Sequence, residues 1–363
     1  MIRFEPRTNV SSLFAFALPI IAGITALVLA AIPIAAAGGE VFAAYGHIFK
    51  GAFGSKFAFS ELLARATPLI FTGLAVSVAF RAKLWNIGAE GQLYVGALAA
   101  VAIGTGAISA PAYIMIPLII LAGMIAGGTL MLVPTLLKTK LGADEVVTTL
   151  LLNFVVLLFV QMMLEGPMKD PMGMGWPQSE PMTSAATLPK MFARMRIHWG
   201  LVIALASALI IYIMMKRSVW GFEIRATGEN VSAAKHAGIP VTSTFIKVGL
   251  ISGALAGLAG VSEVAGLKGY LTADISPGFG YTGVVVAMLA GLSPVGVVVA
   301  AVFIAAVFVG ADSMSRAMGV SSYIADLVVA MSLICVLISS LFVRFKIRFV
   351  RPKKTPLVAK GEA

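Results

Sequence analysis

The sequence predicts an all-α polytopic membrane protein with about ten transmembrane segments and both termini in the cytoplasm. Three observations carry that expectation. The 363 residues are 59% apolar, with a mean hydropathy of +0.98. Only 12% of them are charged, where soluble chains spend about 25%, so polar surface is too scarce to cover a soluble body. The formal charge of +11 lies in short clusters between apolar runs, as topogenic charge does. A nucleic-acid partner would want it gathered on one face.

The apolar runs follow one another along the chain. The first spans residues 13–37. Its 25 residues exceed the 7–15 of a secretory h-region, so it reads as a retained helix. Runs 67–80, 91–108, 112–136 and 146–164 come next, then 199–215, 245–261, 283–292, 294–310 and 323–343. A hydrocarbon core needs about 20 helical residues. The second, sixth and ninth runs are therefore short, and the Gly-bounded eighth reads as a broken or re-entrant piece. With ten crossings, 18 basic and 7 acidic residues fall on the side of the termini, against 9 and 9 on the other. The whole excess is then cytoplasmic, as the positive-inside bias requires. The cationic tail after Arg344 reads as a flank held against anionic lipid.

Gly249, Gly253, Gly257 and Gly260 recur at intervals that place them on one face of the seventh run, a helix-packing seam. Polar residues near the bilayer are few and so informative. Asn86, Glu90 and Gln92 cluster where the third run begins, with Gly88 and Gly91 flanking the carboxylate. Glu90 is expected to cap its own helix or to pair with Arg81 or Lys83. Asn153 and Gln161 lie eight apart in the fifth run, close to one face, with Phe154 and Phe159 between them. These seven residues (Asn86, Glu90, Gln92, Asn153, Phe154, Phe159, Gln161) are the candidates for a translocation path. Asp312 is expected to meet Arg316 one helical turn on, and Asp326 is the one carboxylate expected deep in the membrane.

The whole chain, 1–363, reads as a single transmembrane domain with two sizeable linkers. The outer one, 165–198, carries five prolines and six methionines, which suit an irregular cap. The inner one, 216–242, holds a short helix signature. Asn230 is a good N-cap, 231–237 make two turns, Gly238 suits the position after the helix, and Pro240 stops it. Such a rigid knob suits a partner, with Val231, Ser232, Ala233 and Lys235 on it.

Catalytic signatures are missing. No Gly-Lys pair exists, so no P-loop holds ATP phosphates. One Cys and three scattered His supply neither a disulfide nor a metal cluster. The chain reads as non-enzymatic, with no bound cofactor and no metal.

Four stretches carry a family resemblance. Residues 84–98 (LWNIGAEGQLYVGAL) resemble the third-segment entry of permease subunits of bacterial ATP-binding-cassette (ABC) importers, in the branch for nucleosides and simple sugars beside the ribose and branched-chain amino acid permeases. Residues 142–153 (GADEVVTTLLLN), 221–240 and 275–291 (ISPGFGYTGVVVAMLAG) agree with it. The resemblance implies a type II importer permease in the bacterial cytoplasmic membrane, forming half of a path for a nucleoside or simple sugar. It implies two ATPase subunits, or one fused ATPase, that use ATP and Mg²⁺. It also implies a second permease, identical or homologous, and an extracytoplasmic binding protein. The short inner helix, Asn230 to Gly238, would dock on the ATPase. An internal pseudo-repeat would make the 84–98 and 275–291 stretches counterparts. The alternative is an ion-coupled secondary transporter with broken helices.

Overall fold

The computed structural model describes residues 2–6, 12–106 and 108–349. Thirteen α-helices appear in this order: α1 Ser12–Ala36, α2 Val41–Phe53, α3 Lys56–Arg81, α4 Ala89–Gly104, α5 Ala112–Leu136, α6 Glu145–Glu165 and α7 Gly200–Arg217, then α8 Val219–Glu229, α9 Val231–His236, α10 Val241–Glu263, α11 Phe279–Leu289, α12 Pro294–Met318 and α13 Ser322–Arg344. Single π-turns, Leu137–Leu141 and Val264–Lys268, prolong α5 and α10. The named strands among the described residues are β1 Ile2–Pro6 and β2 Phe345–Phe349, paired antiparallel, so the two ends of the chain lie together. The tail beyond Phe349, assigned above to lipid contact, lies outside the described residues.

Each of the ten apolar runs falls in a helix, but length alone supports fewer crossings. Seven helices are long and apolar enough to span a membrane, and α1 with α2, bent by 119°, makes an eighth if the pair is one span. The helices α4 and α11 are shorter. Three runs expected to be short belong to longer helices: α3 has 26 residues, α7 has 18 and α12 has 25. The reason is visible in α3. Its buried Ser60 and Thr67 return their hydroxyls to backbone carbonyls of their own helix, so polar side chains sit inside it unexposed. Helix α2, unseen in the connector, packs on α12, where a Cβ on Gly51 would stand 2.2 Å from Ser313.

Helix α10 is the axis of the bundle, and its glycine seam is real. A Cβ on Gly253 would lie 2.3 Å from the Gly127 carbonyl of α5, and one on Gly257 would lie 2.1 Å from that of Gly123. One on Gly260 would meet the Leu93 carbonyl of α4 at 2.0 Å. Backbones this close leave no room for a side chain. Dispersion and close packing hold such helices together where no hydrophobic force drives them.

Two units share a plan of long helix, extended return and short helix. In the first, α3 descends to Arg81, residues 82–88 turn back, and α4 rises to Gly104. In the second, α10 rises to Glu263, residues 269–278 turn back, α11 descends to Leu289, and the chain continues to Leu292. Hydrogen bonds fix the ends. Met182 N–H of the 165–198 cap donates to Gly269 O at 2.8 Å, while Arg81 Nε and Ser77 Oγ reach Leu292 O at 3.3 and 2.8 Å. The N-terminal end of α3 meets the cap through Arg196 and Glu61, 3.0 Å apart. The stretch 269–292 therefore runs the length of α3. The eighth run is the short helix α11, preceded by a non-helical return.

The cap itself is irregular. It is stitched to the second return by Ser179 N–H to Leu271 O (2.9 Å), to the π-turn after α10 by Leu188 N–H to Ala265 O (2.8 Å), and to the top of α4 by Thr183 N–H to Gly104 O (2.8 Å). His198 closes it, 1% exposed between Gly200 and Gly266, with Nδ1 accepting from Gly200 N–H at 3.1 Å. Burial pushes this imidazole down from 6.5 to about 4. The neutral ring is the folded form, so stability is full above the unfolded value and drains as pH falls from about 6.5 towards 4, by about 3 kcal/mol in all. Thermal midpoints of the purified permease should drop over that window. In His198→Gln, which keeps an acceptor without a titrating ring, the slope should flatten; equal slopes would remove His198 as its source.

Candidate functional site

The interior polar residues gather where the two short helices begin. Helices α4 and α11 meet N-terminus to N-terminus, so closely that a Cβ on Gly280 would lie 2.2 Å from the backbone nitrogen of Glu90. Glu90, 3% exposed, accepts from Gly280 N–H at 2.6 Å. It caps the facing helix. This corrects the expectation that it would cap α4 or pair with Arg81 or Lys83: Arg81 is spent on the carbonyls after α11, and Lys83 reaches Glu229 O. Gly278, at φ +89°, makes the left-handed turn that starts α11.

The first return is held by side-chain amides. Asn86 Nδ2 donates to Gln92 Oε1 and Ser252 Oγ, each at 2.9 Å, and its Oδ1 accepts from Gly88 N–H at 2.9 Å. Ser252 Oγ passes a bond to Ala75 O at 2.7 Å, which ties α10 to α3. Asn153 Oδ1 accepts from Gly91 N–H at 2.8 Å, and its Nδ2 donates to Ile87 O at 2.9 Å and lies 3.3 Å from the Tyr281 hydroxyl. All four polar side chains (Asn86, Glu90, Gln92, Asn153) are buried. Asn86 and Asn153 satisfy backbone groups of the first return, while Gln92 holds Asn86 and Glu90 serves α11.

The rest of the fifth run parts company with Asn153. Phe154 and Phe159 are 56% and 43% exposed, and Gln161 is exposed as well. Asn153 and Gln161 therefore do not share neighbours, because eight residues of helix already rotate them apart. Asp312 pairs with Arg65 of α3 at 3.0 Å and not with Arg316. Asp326 is exposed, while Glu90 and Glu263 are among the buried carboxylates of the described residues. Reading α3 and α10 as apolar runs hid these partners.

A cavity of about 560 Å³ opens under the cap, between α3, α10 and the second return. Charged residues from all three elements and from the cap line it, Glu61, Arg65, Glu263 and Arg196 among them. The i,i+4 spacing of Glu61 and Arg65 was the signal in the sequence that could have pointed to it.

At the other end, α8 and α9 form a helical corner. Helix α8 was unexpected. It is clamped by Lys247, 3.8 Å from Glu223 and stacked over the Trp220 ring, and by Gly228 against the Arg81 carbonyl. Arg225 donates to Met215 O, so its charge turns inwards. Asn230 Oδ1 caps α9 through Ala233 N–H at 3.0 Å, and Gly238 follows at φ +81°. Asn230, Val231, Ser232, Ala233, Lys235 and Gly238 are all exposed; within α9 Ala234 alone is buried.

Comparison with known proteins agrees with this architecture. The branched-chain amino acid transport system / permease component family matches residues 58–337. The glucose ABC transporter permease protein TsgB13 of Haloferax volcanii is 34% identical over 95% of this chain and 93% of the relative. The guanosine ABC transporter permease protein NupP of Bacillus subtilis is 36% identical over 92% and 95%. The nucleoside ABC transporter permease protein NupB of Lactococcus lactis subsp. cremoris is 31% identical over 94% of each chain. A match of this extent sets aside the ion-coupled alternative and places the chain in the cell's inner membrane as a multi-pass protein. The chain belongs to the branched-chain amino acid transport system / permease component family, as the non-catalytic membrane subunit of an ABC importer that works with an ATPase, a second permease and a substrate-binding protein.

Proposed function

We propose that this permease passes a nucleoside inwards. The observation that carries the reading is its likeness, over more than nine-tenths of its length, to permeases named for guanosine and for nucleosides. The interior polar groups beside the two returns are mostly amides and hydroxyls, which suits an uncharged solute. A simple sugar is the second reading, favoured by the glucose relative. Radiolabelled guanosine uptake should require the intact importer. Competition by ribose or xylose, and by no nucleoside, would turn the assignment to the sugar.

In this reading the chain crosses ten times, N-in and C-in, with both short helices counted together with their returns. The 165–198 cap faces the binding protein, and α9 faces the cytoplasm. A reporter inserted near Met182 should be active outside, and one fused after Lys354 active inside. Both on one side would refute the path. Two ATPase subunits, or one fused ATPase, drive a pair of permeases, identical or homologous.

The ATPase pushes on α9. A knob that passes on motion must be rigid, and its cap, its exposed face and the clamped α8 beneath it support that role. In a Cys335→Ser background, cysteines at Ser232 and Ala233 should crosslink to the ATPase in a yield that changes with nucleotide. Gly238→Val sets a β-branched residue at positive φ and should cut uptake ten-fold or more while insertion and basal ATP hydrolysis persist. Absence of the crosslink together with normal uptake in Gly238→Val would leave α9 a mere connector.

A further inference from the structure

Of the residues lining the cavity under the cap, Glu61, Glu263 and Thr272 each carry a buried oxygen without a hydrogen-bond partner among the described residues, and that of Glu61 has an ion-pair partner in Arg196 at 3.0 Å. Glu263 is 2% exposed, yet its Oε1 makes no hydrogen bond among the described residues, and neither does the buried Thr272 Oγ1 on the same wall. Native proteins rarely leave such groups unmet unless a ligand or solvent completes them. The two come from different elements, the last turn of α10 and the second return, and they converge on one space of about 560 Å³.

The chemistry of the wall narrows what completes them. Glu61, Glu263, Asp274, Arg65, Arg196 and Lys268 all line it, so formal charge balances. The arginines are already engaged: Arg196 lies 3.0 Å from Glu61, and Arg65 lies 3.0 Å from Asp312 and 3.9 Å from Glu61. Lys268 Nζ donates to Asp274 O at 3.3 Å. An anion would find no free guanidinium, and a cation would meet three positive groups. A carboxylate accepts only, and a Thr hydroxyl both donates and accepts, so the missing ligand presents hydroxyls to Glu263. Ile275, Tyr270 and Phe279 add apolar and aromatic surface to the lining, which suits the carbon face of a ring.

We infer that this cavity is a solute site for an uncharged vicinal diol, such as the 2′,3′-diol of a ribonucleoside, held by the Glu263 carboxylate and the Thr272 hydroxyl on the way from the binding protein into the permease. The inference rests on the nucleoside or sugar reading above and adds the residues that recognise the sugar part. Glu263 and Thr272 lie beneath the cap and above the Glu90 junction, where an arriving solute passes. A diol spans both carboxylate oxygens; its deoxy analogue cannot.

The test uses the permease–ATPase complex in nanodiscs, with Cys335→Ser and a single cysteine at Leu267 on the cavity wall. Millimolar guanosine or D-ribose should slow maleimide alkylation of that cysteine at least three-fold, and 2′,3′-dideoxyguanosine should not. Adding Glu263→Gln, isosteric but with one acceptor lost to an amide, should abolish the protection while the thermal midpoint stays in place. In the intact importer the same substitution should raise the guanosine KM about ten-fold more than that of the dideoxy compound. Protection by no diol, or protection that survives Glu263→Gln, overturns the site; so does an equal loss of uptake for both compounds, which would mark Glu263 as structural. Protection by ribose in an importer that takes up no nucleoside would leave the site standing and overturn only the choice of solute.

Discussion

Gly257→Leu is expected to remove folded permease from the membrane. The Cβ alone would stand 2.1 Å from the Gly123 carbonyl, and on the other flank Gly96 of α4 already lies against the Gly257 backbone. The obstacle is main chain on both sides, so no rotamer relieves it, and α5 or α4 must move away from α10. Ordinary overpacking costs about 1–3 kcal/mol. Here three helices lose their seam together, and about 3 kcal/mol is the floor. A fluorescent fusion run on size exclusion in detergent should lose its monodisperse peak ten-fold or more. Gly46→Ala, where nothing lies within 4 Å, should match the parent. A normal Gly257→Leu peak would mean the helices are not packed as described.

Asn153→Leu should be nearly as damaging, through unmet hydrogen bonds rather than crowding. The amide serves Gly91 N–H and Ile87 O, both on or beside the first return, and Asn153 is fully buried. Leucine has about the same size and serves neither. Each orphaned backbone group costs about 1–3 kcal/mol, so about 2–6 kcal/mol is lost together. Transport should vanish and the thermal midpoint should fall by many degrees. Gln161→Leu on the same helix, exposed and remote from the junction, should change neither. If the two substitutions proved equally mild, the return would have another support.

How far the sequence alone reaches can be judged residue by residue. Hydropathy located all ten apolar runs because each buries or spans with apolar residues, and 112–136 coincides with α5 to the residue. The Asn230 cap and Gly238 were legible because their chemistry is local. The lengths of α3 and α12 were not, since Ser, Thr and charged pairs there are satisfied only by distant partners such as Asp312 with Arg65. For the same reason Glu90 was recognised as special but given the wrong partner: Gly280 stands 190 residues away. Gln161 and the two phenylalanines were grouped with Asn153 by nearness in sequence, which a helix does not respect. The outer cavity escaped notice because its members are drawn from α3, α10, the second return and the cap.

The meeting of α4 and α11 bears on a requirement of every protein in an energised membrane. A bilayer that stores a voltage cannot tolerate a fixed interior charge that invites ions through. Two helix N-termini aimed at one point would create such a charge, since each carries roughly half a positive unit. One carboxylate placed between them, accepting the Gly280 N–H, cancels both halves. Glu90 thereby sets one acidic side chain at the point where two helix N-termini converge.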